Sequence, residues 1–208
     1  MTIIRTTFLS CLATLLLVGT LSAQITYQES VSGDLSDNAA SPTALMFGLG
    51  TNQVIGELRN VTGDPGADVR DYLTFIIAPG QELTSIVQQD YSDIATSGAA
   101  NRGFHSINSG ATSAIPGSAT IGSFLGANHF DTVAAGTDLL PSLGSAGLGA
   151  TGFTGALGPG TYTYLVQNTS ANPSAFALDF NVSAVPEPGS LVLLSALAGL
   201  TVVRRRRS

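Results

Sequence analysis

The chain is 208 residues long, room for one domain with targeting segments, and only 11% of it is charged, where a soluble protein carries roughly 25%. Glycine contributes 24 residues, Trp is absent, Cys11 is the single cysteine, and all eight basic residues are arginine. The absence of lysine excludes a Walker A phosphate loop, a pyridoxal-phosphate Schiff base and a lysine isopeptide crosslink.

The N-terminus reads as a secretory signal at residues 1–23. Arg5 supplies the positive end, Phe8 to Val18 an apolar stretch of about eleven residues, and Gly19 to Ala23 a small-residue cleavage region, with the cut expected after Ala23. Eleven apolar residues are too few to span a bilayer, which takes about twenty. Most of the apolar stretch follows Cys11, whereas a lipid-modified cysteine comes after it, so lipidation is excluded. Cys11 leaves with the signal, and the mature chain makes no disulfide even in an oxidising compartment.

From Gln24 to Val185 the chain holds thirteen acids and three arginines, Arg59, Arg70 and Arg102, a net charge of −10 that the whole-chain value of −6 conceals. Such acidity excludes nucleic acid, whose affinity comes from neutralising phosphates. It also disfavours anionic polysaccharide unless divalent cations bridge the two. Short strands are predicted at Ile25 to Val31, Gln53 to Val61, and Asp71 to Ile77. A turn at Ala78-Pro79-Gly80-Gln81 follows, then a strand at Glu82 to Gln88. Ala95 to Gly158 is rich in Gly, Ala, Ser and Thr and reads as short strands and long surface loops, with part of Leu140 to Gly158 expected to be mobile. Gly160 to Asn168 is a strand with Tyr162, Tyr164 and Val166 on one face. In Ala175 to Ser183, Phe176, Leu178, Phe180 and Val182 alternate with Ala177, Asp179 and Asn181, the period of a half-buried strand. Asn172-Pro173 marks a turn between these two, and the pair is expected to form an antiparallel hairpin. No stretch here sustains a helical apolar period. The fold class expected for residues 24–184 is all-β, a single β-sandwich with long loops.

At the C-terminus, Pro186 and Pro188 hold the chain extended. Leu191 to Val203 then brings thirteen residues, ten of them apolar, Leu, Val or Ala, and none charged. As a helix that is about 20 Å, short against a hydrocarbon core of about 30 Å, a gap that snorkelling or local thinning covers. A transmembrane helix at 190–203 is therefore expected. Arg204, Arg205, Arg206 and Arg207 form a basic anchor that stays on the cytoplasmic side and leaves residues 24–184 outside.

The order Pro186-Glu187-Pro188, apolar helix and terminal arginine run, residues 185–208, resembles the PEP-CTERM sorting signal of certain bacteria. The resemblance implies recognition by a membrane-embedded, exosortase-like cysteine transpeptidase that cuts near the Pro-Glu-Pro motif. A plain tail anchor with a basic stop is the alternative. A second resemblance lies in the middle. Ser32 to Asn38, Gly50 to Gly56, Ala67 to Phe75 and Ala78 to Ile86 follow an order similar to the β-sandwich domains related to bacterial pre-peptidase C-terminal domains. That resemblance implies a jelly-roll sandwich, non-catalytic and associated with binding or secretion.

Catalytic signatures are thin. Gly147-Leu-Gly149-Ala-Thr-Gly152 matches G-x-G-x-x-G, but neither a strand before it nor a helix after it is predicted, and the dinucleotide fingerprint needs both. There is no G-x-S-x-G elbow, and His105 and His129, in loop-like segments, read as structural or solvated. Asp34, Asp37 and Asn38 lie close together, as do Asp64, Asp68 and Asp71. Oxygen ligands on turns suit Ca²⁺, so Asp34, Asp37, Asp68 and Asp71 are calcium candidates, although Asp and Asn also start turns without any metal. The expected protein is a non-catalytic, structural or adhesive cell-surface or extracellular-matrix component, tethered to the membrane by its C-terminal helix. Extracellular polysaccharide or other surface proteins are its expected partners. The competing expectation is a secreted hydrolase of extracellular polysaccharide using paired carboxylates.

Overall fold

The computed structural model describes residues 24–59, 68–94, 102–113, 124–131, 136–169 and 172–186. The signal peptide, the transmembrane helix, and the sorting residues Glu187, Pro188 and Arg204 to Arg207 lie outside the described residues. Among the described residues, ten strands and two short helices follow in chain order. They are β1 (Gln24–Gln28), α1 (Glu29–Ser32), β2 (Thr43–Ala44), β3 (Gly50–Leu58), β4 (Arg70–Ile77), β5 (Gln81–Asp93), β6 (Arg102–Ser109), β7 (Gly126–Asp131), β8 (Thr137–Asp138), α2 (Leu140–Gly144), β9 (Gly160–Asn168) and β10 (Ser174–Ala184). They form two five-stranded sheets, β1-β3-β10-β5-β8 and β2-β4-β9-β6-β7. β1 pairs in parallel with β3 and β2 with β4, and the other pairings are antiparallel. The fold is all-β.

The sheets lie face to face over one core, and the period-two rows of the strands supply it. Phe176, Leu178, Phe180 and Val182 from β10 and Tyr162, Tyr164 and Val166 from β9 are all buried in it. Rings meet across the gap: Phe180 lies 5.6 Å from Phe75 and 5.3 Å, edge-on, from Tyr164, and Tyr91 lies 4.5 Å from Phe130. Offset and edge-on pairs at such separations add about 1 kcal/mol each to their burial.

The expected hairpin of Gly160–Asn168 with Ala175–Ser183 does not form. β9 pairs with β4 and β6, and β10 pairs with β3 and β5. Both strands carry a strong apolar row, and the turn between them passes from one sheet to the other, so the rows face each other across the core. A hairpin in one sheet would align the rows side by side.

The sheet containing β9 is covered on both faces. On its outer side Tyr72, Phe104, Ala127 and Leu165 pack with Ala39, Phe124 and Ala150 from the loops. This is why Thr163 and Leu165, on the face opposite Tyr164, are fully buried. The stretch from Leu140 to Gly158, part of which was expected to be mobile, is tied down. Leu140, Leu143 and Leu157 enter the core, and Leu83 and Leu157 exchange backbone hydrogen bonds of 2.9 and 3.0 Å.

Gln24 and Val185 lie at one end of the sandwich. Gln24 stands opposite Asn52 near the start of β3, and at the finish of β10 the Val185 N–H bonds the Gly80 carbonyl at 2.8 Å. The other end holds the start of β10, where Ser174 stands beside Leu58. Eleven residues of β10 separate the two ends, about 30 Å at the rise of a strand.

Candidate metal centre

Five carboxylates meet at the end of the sandwich away from Gln24 and Val185. β4 is the key to their arrangement. Leu73, Phe75 and Ile77 point into the core, and period two puts Asp71 on the same inward row. The row therefore closes on a carboxylate that is 0% exposed. Asp68 precedes it, held by the backbone bond from the Arg59 N–H to the Asp68 carbonyl at 2.5 Å.

The remaining acids come from α1 and the loop behind it. The Glu29 carboxylate accepts the Leu35 N–H at 3.0 Å and the Glu57 N–H at 2.7 Å, which fixes its direction. α1 is only one turn and stops at Gly33, whose φ of 95° turns the chain toward Asp34. The Tyr72 N–H bonds the Ser36 carbonyl at 2.9 Å, so this loop lies along β4 and sets Asp37 near Asp71. Asn38 does not join the cluster. Its Oδ1 accepts the Ala40 N–H at 2.9 Å and serves the turn.

Two triads result, Glu29–Asp34–Asp71 and Asp37–Asp68–Asp71, each with one carboxylate oxygen per residue within 4.8 Å of the others. Asp71 belongs to both. Both of its oxygens, and Oδ1 of Asp68, are buried without a hydrogen-bond partner. Two like charges 4.8 Å apart repel by about 3 kcal/mol at an effective dielectric of 20. Burial, reinforced by the neighbouring carboxylates, pushes Asp71 well above the usual carboxylate range and Asp68 up to about 8. Burial also raises Glu29 and Asp34; the amide bonds from Glu57 and Leu35 hold Glu29 back in part. Arg59 spends its guanidinium on Glu57, 3.0 Å away at the exposed surface, so the cluster has no buried cation among the described residues. With every acid ionised the arrangement is unfavourable, and either protonation or a bound cation relieves it.

A cleft of about 480 Å³ opens beside the cluster, lined among others by Gln28, Glu29, Asp34, Glu57, Arg59 and Asp68. Gly56 forms part of its wall. A Cβ there would stand 2.5 Å from a ring carbon of Phe176 and 2.9 Å from the Glu29 carboxyl carbon, so only glycine fits against both.

The structure thus brings together the four sequence candidates Asp34, Asp37, Asp68 and Asp71, adds Glu29, which sequence reasoning missed, and leaves Asp64 outside the described residues. In the sequence Glu29 sat within the strand expected from Ile25 to Val31 with nothing to mark it; β1 in fact ends at Gln28, and its parallel pairing with β3 brings Glu29, the first residue of α1, to the cluster. The histidines are not in loops. His129 lies on β7, and His105 lies on β6, fully buried, with Nδ1 2.9 Å from the Tyr164 hydroxyl. The alternation of β6 sends His105 inward with Ile107. The G-x-G-x-x-G stretch is a string of turns after α2, with positive φ at Gly149 and Gly152 and no helix behind it. Among the described residues no helix is long and apolar enough to cross a membrane. Pro186 is the last described residue and lies just past β10.

No family model matches the chain, and no curated protein and no solved structure is significantly similar to it.

Proposed function

We propose that this is an exported surface or extracellular-matrix protein whose residues 24–184 form a non-catalytic, structural or adhesive jelly-roll domain. In this reading residues 1–23 direct export. Residues 185–208 are a PEP-CTERM-like signal read by an exosortase-like enzyme, and the helix at 190–203 tethers the domain until it is processed. Polysaccharide or another surface protein is the partner. The observation that carries the reading is the exit of the chain. Val185 leaves the sandwich at the Gly80 end, and the acidic cleft lies at the far end, about 30 Å away. A domain tethered through residue 185 therefore presents its cleft away from the membrane. The jelly-roll wiring is supported by strand order, since β3-β10-β5-β8 stands opposite β4-β9-β6-β7 with antiparallel neighbours throughout.

Intact mass of the protein recovered from cells tests the sorting. Loss of residues 1–23 and a cut near Pro186 are expected. A chain found whole in the cytosol refutes the proposal.

The secreted-hydrolase reading draws on one feature, the raised carboxyl of Asp68 in the cleft. A panel of polysaccharides tested against the parent and Asp68→Ala separates the two: turnover abolished by the substitution establishes the hydrolase.

A further inference from the structure

The geometry points to a calcium centre built from Glu29, Asp34, Asp37, Asp68 and Asp71, which clasps α1 and the loop behind it onto β4. The inference does not depend on how the chain ends are processed.

Asp71 carries the argument. It is fully buried, both of its oxygens lack a hydrogen-bond partner, and both triads converge on it. The fold handles its other covered acids differently. Asp179, 6% exposed, accepts Gln53 Nε2 at 2.9 Å and Gln89 Nε2 at 2.7 Å, one on each oxygen. Asp138 accepts the Ile86 and Leu140 N–H groups, both at 3.0 Å. Where this sandwich covers an acid, it supplies donors; at Asp71 it supplies four more carboxylates. A buried group with unused acceptors needs a partner, and the group common to both triads needs one that the neighbouring carboxylates can share.

The donor set selects the ion. All five ligands are carboxylate oxygens, with no His or Cys in either triad, which argues against zinc. The three carboxylates of a triad, one or two of them bidentate, with water completing the shell, reach the six to eight oxygens that Ca²⁺ takes. Mg²⁺ keeps its waters and demands a regular octahedron, which a site sharing one buried carboxylate between two triads does not offer. Glu29 is already oriented by its two amide bonds, so little ordering is left for the ion to impose.

The clasp joins segments that are distant in sequence, Glu29 to Asp37 on one side and Asp68 and Asp71 on the other. The full chain, stripped with chelator and desalted, is titrated with calcium chloride by calorimetry and melted in Ca²⁺, Mg²⁺ or chelator. Saturable binding is expected with a Kd at or below about 10⁻³ M. At ten times that Kd, Ca²⁺ should raise Tm by about 3–6 °C. Calcium should also slow hydrogen exchange at the Leu35 and Tyr72 amides. Asp71→Asn should abolish the response. Asp34→Asn and Asp37→Asn, at exposed positions where folding is not at risk, should each weaken binding at least about tenfold. Absence of saturable binding and of any Tm change would overturn the inference. So would a Tm rise equally large in Mg²⁺, or parental affinity in both exposed variants.

Discussion

Lowering the pH from 7 to 4 should cost this fold about 3 kcal/mol through a single side chain, His105. Burial in the core pushes its imidazole from 6.5 down to about 3, and the nearby His129 on β7 adds to the effect. The groups around it are otherwise neutral: the Tyr164 hydroxyl on β9, itself pushed upward by burial, and the edge-on Phe130 ring at 5.0 Å. The unfolded chain binds the proton more readily than the folded one. Stability is therefore whole above about pH 6.5 and falls as pH drops toward 3. At pH 4 the unfolded histidine is protonated and the folded one is still mostly neutral, a gap of about two and a half pH units at 1.36 kcal/mol each. The control is His105→Gln, which keeps a hydrogen-bonding partner for Tyr164 and does not titrate. Urea unfolding of parent and variant at pH 7 and pH 4, both in chelator, isolates the histidine, because the carboxylates titrate alike in the two proteins. The parent should lose about 3 kcal/mol more than the variant. Equal losses would show that His105 takes up its proton without unfolding, and would refute the reasoning.

In chelator at pH 8, Asp71→Asn should stabilise the protein by at least about 1 kcal/mol, measured by urea unfolding, because folding forces the Asp71 carboxyl either to take up a proton or to ionise while buried among other acids, whereas the amide does neither and can donate to the surrounding carboxylates. Phe180→Ala should destabilise by about 3–5 kcal/mol, since its ring is fully buried against Phe47, Phe75 and Tyr164 from more than one element. Gly56→Ala should lower both Tm and calcium affinity, because the added carbon meets the Phe176 ring and the Glu29 carboxyl together; a lower Tm with unchanged affinity would mean that Glu29 is not a ligand.

Where a strand has one buried face, the sequence was readable, and the reason is physical. Period two in β10 and β9 announced the inward rows, and the burial of Phe176, Leu178, Phe180 and Val182 follows it. Pairing was not readable. The Asn172-Pro173 turn is as compatible with a step between sheets as with a hairpin, and only the partners β4 and β6 on one side and β3 and β5 on the other decide it. The Gly/Ala/Ser-rich middle holds the short strands expected of it, β6, β7 and β8, but the burial of its connecting segments was not readable, for a related reason. Leu140, Leu143, Phe124 and Ala150 are isolated apolar residues without a period, so nothing local shows that each drops onto the outer face or the rim of a sheet. Four of the five acids were readable as clusters along the chain, but Glu29 was not, because the distance that matters is set by the β1–β3 pairing.

Asp71 was picked out in the sequence only by its closeness to other acids, although its strand pattern carries a stronger sign that the sequence reading did not use. The strand Asp71 to Ile77 places a carboxylate on the same face as Leu73, Phe75 and Ile77, and a charge on a core-facing row is a conflict between the pattern and the solvent. A protein has three ways to settle such a conflict: hydrogen-bond donors, a proton, or a cation. Asp179 shows the first solution in this same fold. The second does not require four further acids, and each one added makes the proton harder to displace and the site costlier whenever it ionises. Only the third makes use of them. The calcium centre proposed above therefore accounts for the gathering of Glu29, Asp34, Asp37 and Asp68 around Asp71 by three separate backbone devices. Those devices are the Glu57 amide on Glu29, the Ser36–Tyr72 bond and the Arg59–Asp68 bond.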